Sequence, residues 1–544
     1  MFRDRLKTLL VSSLLLTLLF AGIVLGSRTA IPRSDFAFCN QAEPSSLDPA
    51  ISTGVPAARL SRALFEGLTR LDPSTNQALP GVAERWTTSP DGLTWDFHLR
   101  DNARWSNGDE VTASDFEYSL RRVLAPSTAS RNAYLLWCID GAEAWTSSLP
   151  GDNSAAAELG LQAVSPRHLR IRLQRPTPYL SSLLAYPTFS PVHRACIEQH
   201  GVRWMKPENM VSNGPFTLAE RRLRDRIRLE KSETYWGRDD VSLQSVVAYA
   251  ASGITTQLNM FLLGEVDWII KPPPGLYSSL EGRKDLIVGE QFGSTFMRFN
   301  TWGGSFADPE QDTPLSDIRV RTALTLALDR DALAKHVMRG GQQPLNSFVP
   351  AGIPAYQPAV LAQPDSDRAK ALLAEAGYPD GEGFPRFALL YPHNETTRDF
   401  CEAVATRWRR TLGIECELVN QVFGVYLDST STGLYDVAWG AWIGDYLDPS
   451  SFLEIFMSNS GNNRTGWANS QYDALVQEAS GNPDLKRRAE LFRQAEEILL
   501  EQLPIAPVYQ RVNINLVSPR VQGFHDNLLD AHPLRDITVT DTAP

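Results

Sequence analysis

The residues best placed to do chemistry lie in the stretch 434–456, LYDVAWGAWIGDYLDPSSFLEIF. Asp445 stands there among Trp442, Ile443, Tyr446 and Leu447, and no Lys or Arg occurs from position 434 to 463. A carboxylate in such company is costly to bury unless a cation pairs with it. Two readings stay open: an exposed Asp at the end of a strand, or a buried acid whose cation comes from elsewhere. No competing constellation offers catalysis. The eight His show no HExxH or other metal spacing, and His98 falls on the outward side of an alternating run. No GxSxG elbow, Walker loop or GxGxxG follows a strand-like segment. The paired acids Asp239-Asp240 and Glu496-Glu497 read as solvated groups in a loop and on a helix. Asn394-Glu395-Thr396 and Asn463-Arg464-Thr465 fit the glycosylation pattern, which short triplets also do by chance. The expectation is a non-enzyme with no catalytic residues, no metal site and no cofactor.

The elements that must hold Asp445 are visible in the pattern around it. Tyr435, Val437, Trp439 and Ala441 alternate with Asp436, Ala438, Gly440 and Trp442, which suits a strand. Gly440, Ala441 and Gly444 leave room for another backbone to approach. Upstream, 36–39 reads as a strand and 58–68 as a helix ending near Gly67. In 94–100, TWDFHLR places Trp95, Phe97 and Leu99 on one face. Thr112 followed by Asp115 marks a helix start whose apolar stripe is Phe116, Leu120 and Val123. Strands are expected at 168–173, 218–231, 246–249 and 266–270, with a helix at 254–263. Ser316 is expected to cap a helix carrying Ile318, Ala323, Leu324, Ala327 and Leu328, and a further helix begins near Asp329. A helix over 367–376 closes at Gly377. Strand 386–392, helix 399–412 and strand 414–420 form a β-α-β unit, expected to give a parallel pair. A long amphipathic helix over 485–502 leads into a strand over 508–516.

At 544 residues the chain exceeds one core, so two or three domains are expected. No repeat or low-complexity linker divides them, and the chain passes between lobes through strands. A formal charge of −11 and the lack of any basic run argue against nucleic acid as a partner. Thirteen Trp suit stacking surfaces as well as cores. Residues 1–26 carry Arg3, Arg5 and Lys7 and then an apolar run over 9–26, a secretory signal pattern with Val24 and Gly26 at the −3 and −1 positions. The run is long enough that an uncleaved membrane anchor is the alternative. Cys39, Cys138, Cys196, Cys401 and Cys416 show no metal spacing, and an odd count leaves one thiol unpaired within a monomer.

Several blocks resemble the extracytoplasmic oligopeptide-binding proteins of peptide ABC transporters (solute-binding protein family 5, cluster C). They begin with Glu43-Pro44 and Ser46-Leu47-Asp48-Pro49. They continue through Leu64-Phe65-Glu66-Gly67-Leu68, Pro80-Gly81-Val82-Ala83-Glu84-Arg85-Trp86, and FHLR, WSNGD and VTASDF within 94–124. Asn213-Gly214-Pro215-Phe216, Arg319-Val320-Arg321 with Ala323-Leu324, 371–377, and Asp445-Tyr446 with Asp448-Pro449-Ser450-Ser451-Phe452 complete a set spanning about 40 to 540.

The resemblance implies an α/β, periplasmic-binding-protein-like fold in three lobes with a hinge between the two main ones. Lobe I would comprise 36–65, 189–291 and 511–544, lobe II 66–188, and lobe III 292–510. It further implies an extended oligopeptide held between lobes and handed to the permease and ATPase subunits of an importer by a monomeric extracytoplasmic protein. Asp445 matches the acid that takes the peptide α-ammonium, so the missing cation would be the ligand. Val55, Ala441 and Ile443 would bond the peptide backbone, while Tyr134, Phe423 and Trp442 would line it in roomy, wet pockets. Two departures stand out. Gly293 and Ile443 occupy the positions of a disulfide in the best-known members. Thr53, Thr397, Thr430 and Trp439 stand where those members carry charged or His partners of the peptide carboxylate, so the amine end of recognition is retained and the other end rebuilt. The rival functions are the same fold holding a non-peptide solute, and a membrane-anchored peptide sensor without a transport role.

Overall fold

The computed structural model describes residues 34–149, 158–304, 306 and 313–540. The signal or anchor segment 1–26 lies outside the described residues. Among these residues no helix is long and apolar enough to cross a membrane.

An eleven-stranded sheet organises the chain around two long antiparallel strands, Leu286–Phe299 and Ile505–Val517. On one flank lie Val437–Ile443, Phe387–Pro392 and Cys416–Gln421 in turn. On the other lie Trp268–Ile270, Phe36–Cys39, Ser245–Tyr249, Arg226–Lys231 and Phe216–Arg222, and the short strand Gln343–Pro344 pairs Ile505–Val517 off this path. The two long strands cross from one flank to the other, and their register shifts between Glu290 and Ser294. A break of this kind bends a ladder and raises its twist, which suits a flexing point. A separate four-stranded sheet contains Ala83–Thr88, Thr94–Leu99, His168–Arg172 and Leu161–Ser165.

Local chemistry accounts for the elements. Trp95, Phe97 and Leu99 are buried and their neighbours half-buried, as the alternation expects. Thr112 and Asp115 form a reciprocal capping box at Ala113–Leu124, and Phe116, Leu120 and Val123 are buried beneath it. Phe387–Pro392 and Cys416–Gln421 pair in parallel across the helix Glu395–Leu412. One cap differs from expectation. Ile318–Leu326 is capped by Asp317, which accepts the Arg319 N–H, whereas Ser316 closes the preceding single turn. An ionised Asp complements the helix N-terminus better than a Ser hydroxyl. The two Asn-x-Thr triplets are absorbed structurally: Asn394 caps Glu395–Leu412, and Asn463 donates to the carbonyls of Phe456, Met457 and Trp467.

Of the paired acids, Asp239 and Asp240 are exposed, but Glu496 is not solvated. Its helix, Leu485–Gln502, turns it inward beneath the 346–361 segment, where it is 0% exposed. Its carboxylate accepts four bonds, from the N–H groups of Phe348, Val349 and Ala359 and from the Tyr356 hydroxyl. The five thiols are free: Cys39, Cys138, Cys196 and Cys401 are buried and Cys416 is half-buried.

Gly440 is a packing glycine. A Cβ there would run into the Phe296 ring across the ladder. Gly440→Ala is therefore expected to cost about 1–3 kcal/mol in denaturant unfolding. No loss of stability would mean that the ring has room to move.

Candidate functional site: an acid beside an open strand edge

Val437–Ile443 pairs along its full length with residues 293–299, but its other side meets Phe387–Pro392 only at Val437 and Ala438. Beyond Ala438 no strand among the described residues pairs with that edge, which is open. The Tyr426 hydroxyl donates to the Trp439 carbonyl, which places the odd-numbered backbone groups on the open side. Gly444 N–H instead donates to the Phe292 carbonyl at 2.9 Å, placing the even positions toward the long strand. Ala441 and Ile443 thus present N–H and C=O groups to the open side, the arrangement that accepts an added extended chain.

Asp445 sits just past this edge. Its N–H donates to Ser451 Oγ at 3.0 Å, and the Trp442 indole donates to the Ser451 carbonyl at 2.6 Å, so Ser451 fixes both residues. Asp445 Oδ2 accepts from the Tyr134 hydroxyl at 3.2 Å across a gap of 311 positions in sequence. Burial pushes the Asp445 carboxyl above its ordinary value, against the opposing pull of the Tyr134 hydrogen bond. Among the described residues no cation forms an ion pair with it.

Its neighbour in the motif behaves differently. Asp448 is held bidentately by Arg488 at 2.5 and 2.7 Å and also takes the Ser450 N–H and hydroxyl. Arg488 reaches Asp448 from the helix Leu485–Gln502, and Tyr446 stacks on Tyr179 with ring centroids 4.5 Å apart. One acid of the motif serves the fold, and the other is left facing a space. That space is a cavity of about 540 Å³ lined by Tyr134, Trp137, Arg175, Trp442, Asp445 and Glu454, among others.

Of the residues expected at the site, Asp445, Tyr134 and Trp442 share this cavity, and Ala441 and Ile443 lie on the adjoining edge. Val55 begins the helix Val55–Leu64 and Phe423 begins Phe423–Ser431; both are exposed, and neither lines the cavity. Gly293 and Ile443 are direct cross-strand partners, with the Ile443 side chain packed toward the glycine. Sequence reasoning did not find Glu454 or Arg175, which come from segments whose polarity carries no periodic signal.

An open strand edge, an acid without a cation and a shared cavity define a protein built to hold a ligand. The profile for bacterial extracellular solute-binding proteins, family 5 (Middle), matches residues 77–464. The periplasmic oligopeptide-binding protein OppA of Salmonella typhimurium is 34% identical over 517 residues, covering 93% of this chain and 91% of that one. The probable deoxycholate-binding periplasmic protein YgiS of Escherichia coli is also 34% identical, covering 93% of each. Among solved structures, Haemophilus influenzae OppA in complex with RPPGFSPFR superimposes with a TM-score of 0.74 at 31% identity, covering 93% of this chain and 99% of that one. The chain belongs to family 5 of the bacterial extracellular solute-binding proteins.

Proposed function

We propose that this protein is the substrate-binding component of an ABC peptide importer, enclosing an extended oligopeptide and delivering it to the membrane permease and its ATPase. The observation that carries the reading is Asp445, a carboxylate without an ionic partner among the described residues, set at the end of an unpaired strand edge. The ligand α-ammonium completes the ion pair. The edge at Ala441 and Ile443 bonds the peptide backbone, and Tyr134 and Trp442 flank it, with Val55 and Phe423 meeting the ligand as the cleft closes.

In this reading 36–65, 189–291 and 511–540 form lobe I, 66–188 lobe II and 292–510 lobe III. Supporting the separation of lobe III, the residues of one large apolar core come mainly from 36–270, shared by lobes I and II, and those of two others from 292–509. The long strands that cross between flanks supply the hinge. The protein works outside the cytoplasm as a monomer, with 1–26 as its export signal.

A second reading has one observation in its favour, the similarity to YgiS. Deoxycholate is an anion and offers Asp445 no cation, so the peptide reading accounts for more of the site. Native mass spectrometry of protein purified without refolding separates the two. Co-purified masses that fragment as peptides are expected, whereas a steroid mass would overturn the peptide assignment.

The raised Asp445 pKa gives a pH signature. Pairing with an ammonium needs the ionised carboxylate, and the bound cation pulls its pKa back down. Affinity therefore falls as the pH drops through the raised value, beginning at a higher pH than an ordinary carboxylate would give. Calorimetry from neutral to acid pH should show this fall in the wild type and none in Asp445→Asn; a flat wild-type profile would contradict it.

A further inference from the structure

Two arginines, Arg298 and Arg464, come together behind the strand Val437–Ile443, and neither forms an ion pair with a carboxylate among the described residues. Arg298 belongs to the long strand Leu286–Phe299, where it is the cross-strand partner of Ala438. It is 9% exposed, its Nε is buried without a hydrogen-bond partner, and its guanidinium lies 5.5 Å from the Phe296 ring centroid. Arg464 follows in the loop beyond Phe456 and is half-buried. Its Nη1 donates to Thr430 Oγ1 at 3.2 Å, and its carbonyl accepts the Tyr435 hydroxyl. Burial and the neighbouring Arg298 both lower the Arg464 pKa, the mark of two like charges in one cluster.

Four other buried arginines each have an anion or backbone carbonyls to donate to. Arg488 has Asp448, and Arg535 has Glu66 at 3.3 Å. Arg321 donates to the carbonyls of Leu315, Ser316, Gln502 and Leu503, and Arg330 to those of Pro507 and Ala362. Among the described residues Arg298 has neither kind of acceptor; the ring of Phe296 and the hydroxyl of Tyr426 stand beside it. Keeping two guanidinium groups in one low-dielectric cluster without an anion is costly.

The location supplies the reason. Tyr426 caps the Trp439 carbonyl, the point at which the open edge ends, and it stands in the same cluster as both arginines. Asp445 stands just past Ile443 at the opposite end of that edge. An extended chain along Ile443 and Ala441 has the acid at one end and the arginine pair at the other. Thr430 and Trp439 are part of this cluster: Thr430 takes the Arg464 hydrogen bond and Trp439 the Tyr426 cap.

We propose that Arg298 and Arg464 form the anion-binding end of the ligand cleft, where a guanidinium pair receives a carboxylate of the bound peptide. The proposal rests on the peptide reading given above. The carboxylate has two possible sources, the peptide C-terminus or an acidic side chain, and the same chemistry serves both.

The test is calorimetry with two matched pairs: Ala-Ala-Ala against its C-terminal amide, and Ala-Glu-Ala amide against Ala-Gln-Ala amide. In the wild type the acidic member of at least one pair is expected to bind about tenfold or more tighter, the scale of a charge-assisted hydrogen bond. The first pair reports a C-terminal source and the second a side-chain source. Arg464→Gln, at the half-buried position, is expected to abolish that preference. Arg298→Gln is the second variant, and its effect is read only if its thermal unfolding matches the wild type. Neutral and acidic members binding equally in the wild type, or a preference that survives Arg464→Gln, overturns the anion site while peptide binding stands. Failure of all four peptides to bind overturns the peptide reading and the anion site with it.

Discussion

Replacing Asp445 with Asn should lower peptide affinity by about 2–5 kcal/mol while leaving the unfolding transition in place. Asn preserves the volume and can still accept from the Tyr134 hydroxyl, so the 3.2 Å contact survives. What is lost is the negative charge, and no described cation depends on it. Asp448→Asn makes the contrasting case. It leaves the Arg488 guanidinium buried without its anion, and the damage should appear as lost stability. Calorimetry and thermal melts on the two variants form a double dissociation. Unchanged peptide binding in Asp445→Asn would remove this residue from the site, and a collapse of its melting temperature would make it structural.

The largest expected effect on stability lies away from the cleft. Glu496→Ala deprives three backbone N–H groups and the Tyr356 hydroxyl of their acceptor and opens a cavity between Leu485–Gln502 and the segment it holds. A loss of about 3–5 kcal/mol is expected in denaturant unfolding at acid pH. Burial pushes the Glu496 carboxyl up to about 7 from its ordinary 4.5, so the native state holds this proton more tightly than the unfolded chain. The sign follows from linkage: the wild-type advantage is full below about 4.5 and declines as the pH rises through about 7, by about 3 kcal/mol. Denaturation curves across that window should show the gap between wild type and Glu496→Ala narrowing with pH. A gap that widens instead would mean that the four donors outweigh burial and the folded carboxyl titrates low.

Glu496 also shows what the sequence withheld. Its neighbour Glu497 is a surface acid that pairs with Arg493 on the same helix, and nothing local distinguishes the two. The difference comes from the 346–361 segment, more than a hundred positions away, whose amides converge on one of them. Residues that interact through their own element were legible. The Trp95, Phe97 and Leu99 face, the Thr112–Asp115 box, the β-α-β unit and the helix from Leu485 to Gln502 follow from periods of 2 and 3.6 and from caps. Asp445 was legible for another reason: its own segment contains no cation, and among the described residues none forms an ion pair with it. Arg298 and Arg464 carried no such signal, because 166 positions separate them and each alone resembles an ordinary surface arginine. Strand register places Arg298 opposite Ala438, and loop hydrogen bonds to Thr430 and Tyr435 bring Arg464 beside it, neither of which a single segment specifies. The Ser316–Asp317 displacement is smaller in kind: two good capping residues stand side by side, and the charged one wins.

The most direct test of the central claim is calorimetry of the wild-type protein with a short peptide and its N-acetylated twin. Acetylation removes the ammonium charge and leaves the backbone groups available to the edge at Ala441 and Ile443. The account requires the free peptide to bind and the acetylated twin to lose most of that affinity at neutral pH, with the difference vanishing in Asp445→Asn. Equal binding of the two forms by the wild type would contradict it, because the acid beside the open strand edge would then have no cation to meet.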